Sequence, residues 1–199
     1  MNYSLKDLKF EKVFLDIGTG DGRYVYKSAL SNPNYLYIGI DPASNLKEYQ
    51  REINRNRLQN AILINSSIEN FNPEVTHFFD KITILLPWGN LLKYTATADQ
   101  NFFEKITKLL KNNGEIQIIF GFNEELEEKE TKRLNLVELT EKELSYLKQL
   151  YENLNNLELV SFNEISYKDL EDFETTWAKK LSFGKNRQYL KISLKTIDN

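Results

Sequence analysis

The segment Asp16-Ile17-Gly18-Thr19-Gly20-Asp21-Gly22 constrains this chain more than any other. The apolar run Val13-Phe14-Leu15 leads into it, and a helical stretch over residues 23–30 leads out. An apolar run that stops in a glycine-rich turn and resumes as a helix opens a strand–turn–helix unit. Its glycines permit positive φ and bring the backbone close to a ligand. The alternation then repeats. Ser31-Asn32-Pro33-Asn34 breaks the helix, and Tyr35-Leu36-Tyr37-Ile38-Gly39-Ile40-Asp41 reads as a second buried strand with an acidic end. Pro42 suits the first turn of a helix over roughly residues 44–58.

Further strands are predicted over residues 61–64, 78–86 and 115–121. A helix over about residues 98–111 is expected to stop at Asn112-Asn113-Gly114, a plausible C-terminal cap. Glutamate-rich helical sequence fills 123–155. Residues 157–165 and 188–197 alternate with period two, as a closing antiparallel pair does, and a helix containing Trp177 is expected between them. Strands alternating with helices imply a mainly parallel, seven-stranded sheet with helices on both faces, an open Rossmann-like α/β plan. The 199 residues fit a single domain spanning 1–199.

Composition removes several classes of function. There is no cysteine, which excludes a disulfide framework, a thiolate zinc site and a thiol nucleophile, and suits a reducing cytoplasm. Met1-Asn2-Tyr3-Ser4-Leu5-Lys6-Asp7 lacks the apolar run of a signal peptide, and no apolar stretch reaches the length of a membrane span. A cytoplasmic protein with no membrane partner is therefore expected. The single histidine, His77, precedes the fourth strand and reads as structural; no metal site is expected. Net charge is −3, yet it is unevenly spread. Residues 175–197 carry six basic side chains and no acidic one, whereas residues 123–143 carry eight glutamates against four basic residues. The basic segment fits a phosphate backbone; solvated faces on both segments would look the same.

The acids around the glycine turn discriminate between ligands. A dinucleotide places its pyrophosphate at the helix N-terminus, where Asp16 and Asp21 would repel it. S-adenosylmethionine carries an ammonium and a sulfonium, for which carboxylates are attractive neighbours. The turn of Gly18, Thr19, Gly20 and Gly22 would face its carboxylate with backbone N–H groups. Asp41, 19 residues after Gly22, is placed to accept bonds from both ribose hydroxyls, and Glu69 follows the third strand where such folds contact adenine.

The fourth strand ends Leu85-Leu86-Pro87-Trp88-Gly89. That position faces the transferable methyl group in this architecture, and the Trp88 ring could stack on a base. Trp177 is the other tryptophan. Two aromatics gripping a base suit an enzyme that holds an extruded nucleotide; one core tryptophan and one helix-capping tryptophan fit the residues equally well.

Asp-Ile-Gly-Thr-Gly-Asp-Gly-Arg (16–23), Ile-Gly-Ile-Asp-Pro (38–42), Ile-Leu-Leu-Pro-Trp-Gly-Asn-Leu-Leu-Lys-Tyr (84–94) and Trp-Ala-Lys-Lys-Leu-Ser-Phe-Gly-Lys-Asn-Arg (177–187) resemble the KamB/NpmA family. These are class I S-adenosylmethionine-dependent enzymes of aminoglycoside resistance that methylate N1 of the decoding-site adenine of 16S rRNA in the 30S subunit. The resemblance implies that Trp88 and Trp177 sandwich the flipped adenine. It implies that Asp16, Gly18, Asp41, Glu69, Leu85, Asn90 and Thr175 touch the cofactor. Lys180, Lys185 and Arg187 would grip rRNA phosphates, and Lys47, Arg51, Arg55 and Arg57 would dock on the folded rRNA. The family tends to have arginine where Lys180 and Lys185 stand. A monomer is expected. Adenine N1 already carries a lone pair at neutral pH, so positioning rather than a general base would drive transfer. The alternatives are a tRNA (guanine-N7) methyltransferase, which shares the fold and a Pro-Trp at this strand end, and a non-catalytic module that binds S-adenosylmethionine or RNA.

Overall fold

The computed structural model describes residues 10–42, 46–123, 127–170 and 188–197. Its elements are β1 (Lys12–Ile17), α1 (Arg23–Ser31), β2 (Tyr35–Asp41), α2 (Lys47–Arg55), β3 (Ala61–Asn65), β4 (Phe79–Leu85) and α3 (Asn90–Ala96). Then follow α4 (Gln100–Thr107), β5 (Leu110–Phe120), α5 (Glu128–Leu134), α6 (Glu141–Glu152), β6 (Leu157–Ile165), a 3-10 turn (Tyr167–Leu170) and β7 (Tyr189–Thr196).

The strands form one seven-stranded sheet in the order β3-β2-β1-β4-β5-β7-β6. Strands β3, β2, β1, β4 and β5 pair in parallel, and β7 runs antiparallel between β5 and β6. The mainly parallel sheet with an antiparallel C-terminal pair is thus as expected. Parallel neighbours require crossovers, and helices supply them on both faces. On one face α1 and α2 bury Val25, Ala29 and Ile53 against Tyr37 and Ala61. On the other, Phe102, Phe103 and Ile106 of α4 and Leu144 and Leu147 of α6 cover Leu15, Ile38 and Ile82. Each such side chain taken fully from water contributes about 1.5–3 kcal/mol.

Buried polar groups fix the ends of these elements. The Asn60 amide, 5% exposed, reaches the carbonyls of Ala29, Asn32 and Tyr35, pinning the end of α1 to the start of β2. The Tyr151 hydroxyl of α6 donates to Thr95 O at 2.7 Å and so ties down α3, which follows Trp88. His77 is structural: its Nδ1 lies 3.0 Å from Leu110 O.

Three expectations change. The helix predicted to reach residue 111 ends at Thr107, and β5 begins at Leu110. Asn113 does take a left-handed conformation (φ 60°), but inside the strand, near where the β4–β5 register slips between Phe79 and Lys81. Pairing with β4 outweighs the helical pattern there. The stretch 123–155 contains two helices, because Asn135 turns left-handed (φ 54°) at the end of α5. A helix absent from the sequence reading, α3, starts directly after Gly89. The expected helix around Trp177 lies outside the described residues.

Candidate active site

The turn after β1 takes the conformation its glycines allow. Gly18, Gly20 and Gly22 have φ of 75°, 64° and 87°, a region costly for residues with a Cβ. The turn is anchored to β2: the Gly18 and Thr19 N–H groups donate to Ile40 O, and the Gly20 N–H donates to Asp41 Oδ2 at 2.9 Å. A Cβ on Gly22 would lie 2.5 Å from Leu63 Cδ1, and one on Gly18 would lie 2.7 Å from Leu91 Cδ2. Among the described residues a Cβ on Gly20 would meet nothing within 4 Å, so the turn is packed at its flanks and open at its middle.

Asp16 and Asp41, both buried, stand at the ends of neighbouring strands. Burial pushes the Asp16 carboxyl up to about 6. The hydroxyls of Thr83 and Thr19 oppose that rise, and the Asp41 charge adds to it. The Thr83 hydroxyl donates to Asp16 Oδ1 at 2.6 Å. Asp21 accepts from the Arg23 N–H at 3.1 Å and thereby caps the start of α1. The Arg23 guanidinium is turned toward α2, where Nη1 donates to the Tyr49 hydroxyl at 2.9 Å.

The residues of this turn fit S-adenosylmethionine. Two buried carboxylates favour its cationic groups, and the open face at Gly20 leaves room for a close approach. The same acids disfavour a diphosphate.

Leu85 ends β4 and is buried; beyond it the chain becomes strained. Leu86 adopts φ 53°, unusual for a residue with a side chain, while its N–H donates to Ile119 O at 2.7 Å. Pro87 is buried, Trp88 is 52% exposed, and Gly89 at φ 63° opens α3. The Arg133 guanidinium of α5 lies beside Gly89, where a Cβ would be 3.9 Å from Nη2, and it donates to the Glu130 carboxylate through Nε at 2.9 Å and Nη2 at 2.7 Å. Helix α5 therefore buttresses the loop that presents Trp88.

The predicted residues divide into three groups. Asp16, Gly18, Thr19, Gly20, Gly22, Asp41 and Leu85 gather at the carboxyl ends of β1, β2 and β4. Asn90, exposed, begins α3 beside the Trp88 loop. Glu69 is exposed, and its bonds run to the helices: the Tyr94 hydroxyl donates to Oε1 at 3.0 Å, and Lys105 holds its carbonyl at 2.8 Å. Burial pulls the Glu69 carboxyl up, but its own backbone, Ser67, Tyr94 and Lys105 hold it below the usual value.

Lys47, Arg51 and Arg55 are exposed and spaced four apart along α2, while Tyr49 and Ile53 face inward. Arg55 pairs with Glu52 at 2.5 Å, and Arg57 follows the helix, exposed, at φ 52°. Trp177, Thr175, Lys180, Lys185 and Arg187 lie outside the described residues. Sequence reasoning missed Thr83, Glu130 and Arg133; the signal for Thr83 is its register opposite Asp16.

A cavity of about 760 Å³ lined by His77, Glu104, Lys108 and Asn155 opens at the amino ends of β4 and β5, away from these acids. Among the described residues, no cluster of His, Asp and Glu could hold a metal, and no helix is long and apolar enough to cross a membrane.

Known proteins share this arrangement. The chain is 30% identical to the 16S rRNA (adenine(1408)-N(1))-methyltransferase of Escherichia coli over 93% of its own length and 87% of the relative's. It is 38% identical to the solved 30S ribosomal A1408 methyltransferase from an uncultured bacterium, with a TM-score of 0.69 over 95% of this chain and 89% of that one. A tRNA (guanine-N(7)-)-methyltransferase of Ureaplasma urealyticum matches at 28% over 85% of this chain and 78% of the relative. The family model described as "NpmA: 16S rRNA (adenine(1408)-N(1))-methyltransferase" matches residues 2–196. With nearly its whole length matched, this chain belongs to the NpmA family of 16S rRNA (adenine(1408)-N(1))-methyltransferases.

Proposed function

We propose that this protein transfers a methyl group from S-adenosylmethionine to N1 of the adenine at position 1408 of 16S rRNA in the 30S subunit, and so protects the ribosome from aminoglycosides. The observation that carries the reading is a half-exposed tryptophan on a strained loop beside an acid-lined glycine turn. A large aromatic left in water at a strand end is poorly used unless something stacks on it. A base extruded from its helix offers a matching flat face, worth about 1–3 kcal/mol.

S-adenosylmethionine would supply, when bound, an electrophilic methyl on a cationic sulfur that leaves as a neutral thioether once adenine N1 takes the methyl. The chain's own residues position and stabilise. Asp16 counters the cofactor's positive charge, Asp41 accepts from its ribose hydroxyls, and the glycine turn lets it approach the backbone closely. Trp88 and Trp177 fix the adenine plane between them and favour the positive charge that the ring acquires. Lys47, Arg51, Arg55 and Arg57, together with Lys180, Lys185 and Arg187, hold the rRNA. The protein acts as a single catalytic domain, as a monomer, in the cytoplasm.

Incubation with labelled S-adenosylmethionine and either 30S subunits or tRNA, followed by nucleoside mass analysis, tests this. N1-methyladenosine from 30S subunits is expected. N7-methylguanosine from tRNA would support the tRNA enzyme instead, and cofactor binding without turnover on either RNA would mark a non-catalytic module.

A further inference from the structure

Thr83 and Asp16 stand side by side where β4 pairs with β1. Their side chains are 3% and 4% exposed. On the other flank the register partner of Asp16 is Gly39 of β2, which has no side chain to offer the carboxylate a donor. Four groups face Asp16 from the surrounding elements: Thr83 from β4, Thr19 from the turn, Asp41 from β2 and Tyr24 from α1. Asp41 brings a like charge. Burial, and then the Asp16 charge, raise Tyr24 well above an ordinary phenol, so it stays neutral, although Ser28 and Thr83 oppose that rise.

A buried carboxylate beside another loses its charge unless donors hold it. The 2.6 Å hydroxyl of Thr83 is the shortest such donor contact to Asp16 among the described residues. Packing does not require that hydroxyl. The neighbouring Ile82, Ile84 and Leu85 are apolar and buried, and a valine would fill the volume of Thr83.

We propose that Thr83 is a positioning residue that keeps Asp16 a charged carboxylate, so that cofactor affinity near neutral pH depends on one hydroxyl inside β4. This rests on the reading that Asp16 faces the cationic part of S-adenosylmethionine. Ionised Asp16 attracts that charge and protonated Asp16 does not. Affinity therefore stays level in mild alkali and falls by up to about tenfold per pH unit once Asp16 takes up a proton. With burial and the Asp41 charge raising it and the Thr83 and Thr19 hydroxyls opposing them, that uptake lies near 6. Loss of a hydrogen bond to the charged form moves it upward, by about one to two pH units.

Calorimetric titration of S-adenosylmethionine from pH 5.5 to 8.5 into wild type, T83V, T83S and D16N tests this, with thermal melts to show that each variant is folded. T83V is expected to shift the inflection up by about one to two pH units and to weaken binding at pH 7 by about two- to tenfold. T83S, which restores the hydroxyl, is expected to restore the wild-type profile. D16N is expected to bind weakly and without inflection. A T83V profile that keeps the wild-type inflection overturns the proposal, whatever its affinity. An inflection that survives in D16N overturns the placement of Asp16 at the cofactor, and the proposal with it.

Discussion

Asp16→Asn separates what the protein gains from this carboxylate and what the carboxylate costs it. Asparagine keeps the shape and an oxygen to accept the Thr83 hydroxyl, and removes the charge. Burial raises Asp16 from 3.8 to about 6, so the folded protein binds this proton more tightly than the unfolded chain does. Ionised Asp16 therefore destabilises the fold at pH values above about 6, and the cost fades as pH falls toward the unfolded value. A shift of roughly two pH units corresponds to at most about 3 kcal/mol at pH 7.5 and about 1 kcal/mol at pH 4.5. At about 2–4 °C per kcal/mol for a chain of this size, D16N without cofactor should melt up to about 6–12 °C above wild type at pH 7.5. That margin should shrink by more than half at pH 4.5. S-adenosylmethionine at a hundredfold excess over its Kd should raise wild type by about 2.7 kcal/mol and D16N by far less. Differential scanning fluorimetry with and without cofactor reads all of this. A variant less stable than wild type at pH 7.5, or one stabilised as much by the cofactor, would refute the reasoning.

The remaining predictions concern the turn and the RNA side. Trp88→Ala should cut kcat/KM for 30S methylation by about 5- to 150-fold, leaving cofactor Kd within about twofold and the melting temperature nearly unchanged, because half the ring is in water. Trp177→Ala should behave alike. Gly22→Ala adds left-handed strain to a 2.5 Å clash with Leu63 and should cost about 2–4 kcal/mol of stability, read by urea denaturation. Gly20→Ala meets no atom of the described residues within 4 Å and should cost only about 1 kcal/mol while weakening cofactor binding, since the open face at Gly20 is where the cofactor must approach. Affinity for 30S subunits should fall steeply between 50 and 200 mM salt in filter binding, whereas Kd for S-adenosylmethionine should hardly move.

The parts of the fold legible in sequence are those set by local pattern. Strands β1 to β4 announce themselves as apolar runs ended by Gly, Pro, Asp or Asn-Ser, and the turn of Gly18, Gly20 and Gly22 by glycine spacing. Residues 108–114 misled because their decisive partner is remote: Leu110 leaves the helical pattern to pair with Phe79, and Asn113 bends a strand instead of capping a helix. Helix α3 escaped because Gly89 starts it without any capping side chain. Asp16 and Asp41 stood out as acids beside glycines. Thr83 did not, since a threonine within an apolar strand looks like ordinary β-branched filler until register sets it against Asp16. Glu130 and Arg133 sit in a stretch where acids and bases abound, and only the place of Arg133 beside Gly89 distinguishes them.

Primer extension across position 1408 of 16S rRNA, run on 30S subunits treated with this protein and S-adenosylmethionine, addresses the central claim most directly, because a methyl on adenine N1 blocks base pairing. The account predicts a strong stop at position 1408 with wild type and its near disappearance with Trp88→Ala. Full read-through at 1408 while the protein binds the cofactor normally would contradict it.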